Sequence, residues 1–155
     1  MLIAGFLFPD ELSYLVEHQT WARFHGDGTA TVGITSMGIR LAGEIYMCRP
    51  KGVGADVEPG RSIAVVELAK SVVSVKSPVR GVVIDVNPVL EVRPEAVHLD
   101  PYGEGWLARL RLAPGDPAVA AAGPAAESAS AGALLVSGVA AAAALAHHAW
   151  LNQLA

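Results

Sequence analysis

The stretch VVELAKSVVSVKSPVRG, Val65 to Gly81, decides how the rest of the chain is read. It places two of the chain's three lysines, Lys70 and Lys76, among valines and small residues. Valine-rich runs on either side of Leu68–Ser71 favour strands, and the small residues between them favour a turn, so a hairpin with Lys70 at its tip is expected. Working outward, TATVGIT, EIYMC, SIAVVE, VVSVKS, GVVIDV and WLARLRL read as short strands between Thr29 and Leu112. The breaks between them (HGDG, PKGVG, EPG, SPVRG, NPV and DPYGEG) each contain Gly or Pro, which supply special backbone angles. A small all-β body follows. Before it, PDELSYLVEHQTWARF is mixed and reads as a short helical turn and then an edge strand.

A weak internal duplication supports a closed arrangement. GEIYM at Gly43 leads through a Pro/Gly loop to SIAVVE, and GVVID at Gly81 leads through another to WLARLR. Two such halves can bury their alternating apolar faces against each other as a flattened barrel, with the Lys70 hairpin joining them.

With 155 residues and 52% hydrophobic content, the chain suffices for one core with an appendage. Its formal charge of −4, with scattered basic residues, offers no field for nucleic acid. Cys48 is the only cysteine, which excludes an internal disulfide and a multi-thiolate metal site and fits a reducing cytoplasm. The apolar N-terminus lacks a basic n-region and meets Asp10 and Glu11 early, unlike a secretory signal. The alanine-heavy run from Ala131 to Ala146 is shorter than the roughly 18 residues a spanning helix needs, so no membrane insertion is expected. GVG at Gly52–Gly54 lacks the Lys-Ser or Lys-Thr helix start of a phosphate loop.

The resulting organisation is an N-terminal extension (1–18), a carrier domain (19–113), a Pro/Ala/Gly linker (114–132) and a C-terminal helix (133–155). Ser137 is a candidate N-cap of that helix, with Leu145, Trp150, Leu151 and Leu154 as its apolar stripe. His147 and His148 are adjacent, about 100° apart on a helix, and do not form a metal-binding pair. His18 and His25 read as ordinary surface or edge residues, and Cys48 as a small buried hydrophobe sharing a face with Tyr46, with a role in sulfur transfer as the sharper alternative.

The run VVELAKS followed by SPVRGVVIDVNPVLEVRPEAVHLDPYGEGWLARLRL resembles the glycine cleavage H-protein family of lipoyl domains. In that family a Glu stands three residues before the lipoylated lysine, small residues lie beside it, and S-P-V-x-G, an Asn and D-P-Y-G-E-G-W follow; here these are Glu67, Lys70, Ser77–Val79 with Gly81, Asn87 and Asp100–Trp106. The resemblance extends through roughly Gln19–Leu112 and implies a mostly β, lipoyl-type flattened barrel (a barrel-sandwich hybrid) with a C-terminal α-helix. It implies lipoate on Lys70, with Glu67, Ala69 and Ser71 as the attachment-recognition residues, Glu67 either read by the lipoate-attaching enzyme or holding the hairpin and Ala69 and Ser71 keeping the approach open, and a cofactor-bearing carrier rather than an enzyme, with no metal. A carrier lysine needs a rigid, accessible turn; the cofactor supplies the chemistry and the protein its position. Biotin attachment resembles a Met-Lys-Met context that is absent here, and Lys76 falls where the next strand begins.

The departures from the family pattern bear on partners. Where the family reads closer to G-D-I-V-F-V-E-L-P-E-V-G, this chain has GEIYMCRPKGVG, so Arg49 and Lys51 make an acidic partner surface basic. SMGIRLAG likewise replaces the aromatic and acidic residues that follow G-I-T. The altered pattern resembles the H-protein-related lipoate-binding proteins that serve a heterodisulfide-reductase-like complex in bacterial sulfur oxidation. Shuttling sulfur-bound intermediates to that complex is the expected function. A glycine cleavage H protein carrying an aminomethyl group is the alternative, and an unmodified interaction module of the same fold a further one. A cytoplasmic monomer is expected.

Overall fold

The computed structural model describes residues 2–3, 5–114, 128–130 and 133–137. In chain order the strands are β1 (Leu2–Ile3), β2 (Phe6–Leu7), β3 (Ser13–Leu15), β4 (Thr20–Phe24), β5 (Thr29–Ile34), β6 (Met47–Pro50), β7 (Asp56–Val57), β8 (Ser62–Glu67), β9 (Val72–Lys76), β10 (Gly81–Val86), β11 (Ala108–Leu112), β12 (Ser128–Ser130) and β13 (Ala133–Ser137). The helices are α1 (Ser36–Ala42), α2 (Val89–Val92) and α3 (Ala96–Leu99). β6, β8 and β9 form an antiparallel three-stranded sheet, and an eight-stranded sheet runs β12-β13-β3-β4-β5-β11-β10-β7.

Alternation along the strands faces the two sheets toward each other. Ala22, Ala30, Val32, Val83, Ala108 and Leu110 of the larger sheet share one core with Cys48, Ala64, Val66 and Val75 of the smaller. The expected halves are therefore present, each containing its antiparallel pair: β6 with β8, and β10 with β11. The lysine hairpin does not join them, however. It links β8 to β9 within the smaller sheet, and the chain crosses between sheets at Ser77–Arg80. There Ser77 is buried, its hydroxyl donating to the Val79 carbonyl at 2.8 Å and accepting from the Val79 amide at 3.2 Å.

The opposite face of the larger sheet is also covered, at one end. Tyr14 and Trp21 alternate with Leu15 and Ala22 and pack with Phe8, Leu12 and Met37 in a second cluster. Residues within 1–18 thus contribute core and a paired strand, β3, and are more than an extension. Trp21 lies across from Gly33, where any side chain would meet the indole, and its Nε1 donates to the carbonyls of Ile34 at 3.2 Å and Pro101 at 3.1 Å.

SMGIRLAG forms α1. Thr35 caps it by accepting the Gly38 amide at 3.0 Å, while its own hydroxyl donates to Gln19 Oε1 at 2.6 Å. The connection 87–106, which holds α2 and α3, is clasped by one side chain: Asn87 Nδ2 donates to the Glu104 carbonyl at 2.6 Å and the Trp106 carbonyl at 2.8 Å, and Asn87 Oδ1 accepts the Val89 amide at 3.1 Å. Gly105 completes the clasp, because a Cβ there would collide with the Ala96 carbonyl.

Two expectations about the C-terminal part change. Ser128–Ser130, placed in the linker, and Ala133–Ser137, placed at the start of a helix with Ser137 as its cap, form a strand pair. β13 continues onto the edge of the larger sheet, with Val136 opposite Tyr14 and Ser137 opposite Ser13. An unpaired edge offers a row of backbone donors and acceptors, and pairing with it outweighs the modest helix propensity of a few alanine-flanked residues. The rest of the expected helix, with Leu145, His147, His148, Trp150, Leu151 and Leu154, lies outside the described residues.

Candidate functional site

Lys70 stands where the hairpin reading put it. Glu67 pairs with Val72, leaving Leu68–Ser71 as the loop, closed by the Leu68 amide donating to the Ser71 carbonyl at 2.8 Å. Below the loop, the Tyr46 amide donates to the Glu67 carbonyl at 2.8 Å, and the Leu68 side chain packs against the main core. The base is thereby fixed, whereas Ala69, Lys70 and Ser71 are exposed. Among the described residues no ion pair engages Lys70, Lys76 or Glu67, so the Lys70 ammonium is not tied down by the nearby carboxylate.

Cross-strand register arranges the surroundings. Met47, Glu67 and Val72 form one row of the outward face, and Arg49, Val65 and Ser74 the next. Arg49 is exposed, with Nη2 at 2.9 Å from Met47 Sδ, and lies two residues from the Glu67 row, about 7 Å along the strand. Lys51 is exposed as well but beyond the far end of β6, roughly 14 Å from that row, so the two basic residues form an extended stripe more than a patch.

Cys48 faces inward with 2% exposure, and burial pushes its thiol up to about 12. That supports its reading as a small core hydrophobe. Tyr46, expected on the same face, precedes β6 and is 54% exposed, its hydroxyl donating to Glu44 Oε2 at 3.2 Å. His25 is exposed and bonded to Thr31.

Beside the hairpin base, α1 and β9 enclose an apolar cavity of about 300 Å³, with Leu41, Ala42, Ile45, Leu68 and Val73 in its lining and His18 among its polar neighbours. Sequence reasoning named none of these as site residues. The available signal was Val73, an inward-facing position by strand alternation that is nonetheless 43% exposed in the fold. An aliphatic arm ending in a disulfide ring fits such a lining, which presents methyl and methylene groups directly next to the loop that holds Lys70. Among the described residues no group of three or more His, Cys, Asp or Glu is placed to hold a metal, and no helix is long and apolar enough to cross a membrane.

Two facing sheets with an exposed lysine at the tip of a short hairpin define a lipoyl-type carrier domain, a flattened β-barrel sandwich whose product is position and not catalysis. The family model for the glycine cleavage H-protein matches residues 12–122, and the chain belongs to that family. Its members carry a covalently attached lipoate on a lysine. The glycine cleavage system H protein of Marinobacter nauticus is 44% identical over 105 residues, covering 68% of this chain and 80% of the relative. Glycine cleavage system H protein 3 of Aquifex aeolicus is 36% identical over 107 residues, covering 69% of this chain and 66% of the relative. The crystal structure of a glycine cleavage system H protein from Mycobacterium marinum superposes with a TM-score of 0.70 at 26% identity, over 90% of this chain and 99% of that one.

Proposed function

We propose that Lys70 is the lipoylated residue and that the chain carries an aminomethyl group between the enzymes of glycine cleavage. The observation that carries this reading is the pairing of a bare lysine loop with an apolar cavity at its base, in a chain whose relatives are named as glycine cleavage H proteins. Amide formation with lipoate removes the ammonium charge, and the absence of an ion pair at Lys70 among the described residues means that no salt bridge is broken in doing so. Ala69 and Ser71 keep the approach open for the attaching enzyme, and Glu67 presents a carboxylate at the foot of the loop for it to read. When attached, the lipoyl group supplies dithiol–disulfide chemistry. Leu68 anchors the loop that sets the arm's origin, and Leu41, Ala42, Ile45 and Val73 offer the arm a dry resting surface between visits to partners.

A second reading keeps the same arm and changes the client: a sulfur-oxidising, heterodisulfide-reductase-like complex. The observation favouring it is the exposed basic stripe of Arg49 and Lys51 on the lysine-bearing sheet, where the family pattern is acidic. The relatives' names favour glycine cleavage. Both readings place a monomeric carrier in the cytoplasm.

Coexpression with a lipoate-attaching enzyme, followed by peptide mapping, tests the site. One lipoyl group on Lys70 is expected; modification of a Lys70→Ala variant, or of Lys76 in the wild type, refutes the assignment. Reconstitution of the lipoylated chain with each partner set then tests the client. Turnover with the glycine cleavage enzymes is expected, whereas transfer only to the sulfur-oxidising complex, weakened by Arg49→Glu with Lys51→Glu and by added salt, would establish the second reading.

A further inference from the structure

The outward face of the larger sheet carries a further cavity, away from the lysine hairpin of the smaller sheet. One cross-strand row runs Arg23, Thr31, Arg109 and Asp85 over β4, β5, β11 and β10. Above this row, Trp21, His25, Tyr102 and Trp106 help to wall an open cavity of about 280 Å³. The sheet supplies a rigid floor, and the loop clasped by Asn87 supplies the Tyr102 and Trp106 side.

The hydrogen-bonding capacity of this cavity is underused. Arg23 donates one long bond, Nη2 to the Tyr102 carbonyl at 3.4 Å, and among the described residues it has no carboxylate partner. Arg109 uses Nε and Nη2 on Thr29 Oγ1, at 3.3 and 3.0 Å, and Nη2 on Asp27 Oδ2 at 3.3 Å, which leaves Nη1 without a partner among the described residues. Asp85, at the end of the row, is exposed and has one carboxylate oxygen on the Val86 amide at 2.9 Å. His25 contacts Thr31 Oγ1 at 2.7 Å. Its ring is held below the ordinary imidazole range by burial first, then by Arg109 and Arg23, against the opposing pull of Asp27.

We propose that this cavity binds a small aryl carboxylate, with its carboxylate held by Arg23 and Arg109 and its ring against the Trp106 and Tyr102 wall. Guanidinium groups favour a planar carboxylate through paired charge-assisted hydrogen bonds. Aromatic walls favour a flat apolar body, and the volume suits a single ring more than a nucleotide or a peptide segment. Thr31 and the His25 ring complete the polar side of the floor, while the exposed carboxylate of Asp85 sets a limit by disfavouring a second negative group on the ligand at that end.

The test uses the full chain and titrates benzoate, acetate and inorganic phosphate separately. Tryptophan fluorescence and the arginine Nε resonances report on binding. Benzoate should saturate at about millimolar concentration or below, roughly tenfold tighter than acetate because only its ring meets the aromatic wall. Arg23→Gln should weaken benzoate by about tenfold or more without shifting the thermal midpoint. Arg23→Lys, which keeps the charge but loses the planar fork, should weaken it in the same direction. The proposal is overturned if benzoate gives no saturable change in the millimolar range, if phosphate binds more tightly than benzoate, or if both Arg23 variants bind benzoate like the wild type. Lipoylation at Lys70 serves as an independent readout and should be equal in all these variants.

Discussion

The lysine loop 68–71 and the clasped segment 87–106 both connect neighbouring antiparallel strands, yet they are built on opposite principles. The clasp closes on itself: one buried amide side chain makes three hydrogen bonds to the backbone, and Gly105 fits only because it has no side chain. The lysine loop has a single closing backbone bond and an anchoring leucine beneath it, and its other side chains reach into solvent. Interactions that would stabilise the tip would also obstruct it. Rigidity is concentrated under the lysine and at the far loop, and Lys70 itself is left bare.

Substitutions should separate the two regions on one scale of folding free energy. Asn87→Ala should have the largest effect, about 3 kcal/mol in urea unfolding, because it leaves three part-buried backbone groups without their side-chain partner. A value near zero would mean that water replaces the clasp. Gly105→Ala should follow at about 2 kcal/mol, since the new methyl must displace the Ala96 backbone. Lipoylation of Lys70 in both variants should proceed normally wherever the chain is folded.

Cys48, in the core beneath the lysine-bearing sheet, gives an intermediate effect that depends on pH. Its thiol ionises at about 12 in the fold against an ordinary 9.0, so between those values the folded state holds a proton that the unfolded chain releases. The stability it contributes is full below the ordinary value and is lost as pH rises. The first unit above the ordinary value should cost about 1 kcal/mol, measured by urea unfolding at a pH series in wild type and Cys48→Ala. The same burial should make alkylation of Cys48 slow in the native protein and fast in urea.

Least of all in stability, and greatest in consequence, are changes at the tip. Lys70→Arg should alter folding by no more than about 0.5 kcal/mol while abolishing lipoylation. Glu67→Ala should slow attachment more than it shifts the thermal midpoint; a large stability loss with a normal attachment rate would reassign Glu67 to holding the hairpin.

Much of this was readable because it depends on local rules. Alternating valines, Gly/Pro punctuation and the small residues around Lys70 are expressed within a few residues of one another, so the strands and the exposed loop followed from them. SMGIRLAG carries no local helix signal: the start of α1 depends on the Thr35 cap and on Gln19, in the turn before β4. Ala133–Ser137 reads as helical from sequence because alanine propensity is a local quantity, while the sheet edge it pairs with lies more than a hundred residues earlier in the sequence.

The sequence by itself determined the short strands and the hairpin that holds Lys70, because a strand period and a turn need only near neighbours, while the class of the protein came through the resemblance of the motifs around Lys70 to a known family. Tertiary structure alone decided that the hairpin lies within one sheet, that Leu68 and Val73 meet α1 around a cavity, that Cys48 is closed off, and that Arg23 and Arg109 line one cavity with Trp106. Each of those results is a contact between segments distant along the chain. Such contacts are set by which faces the sheets bury against each other, and that choice is made by the whole core at once.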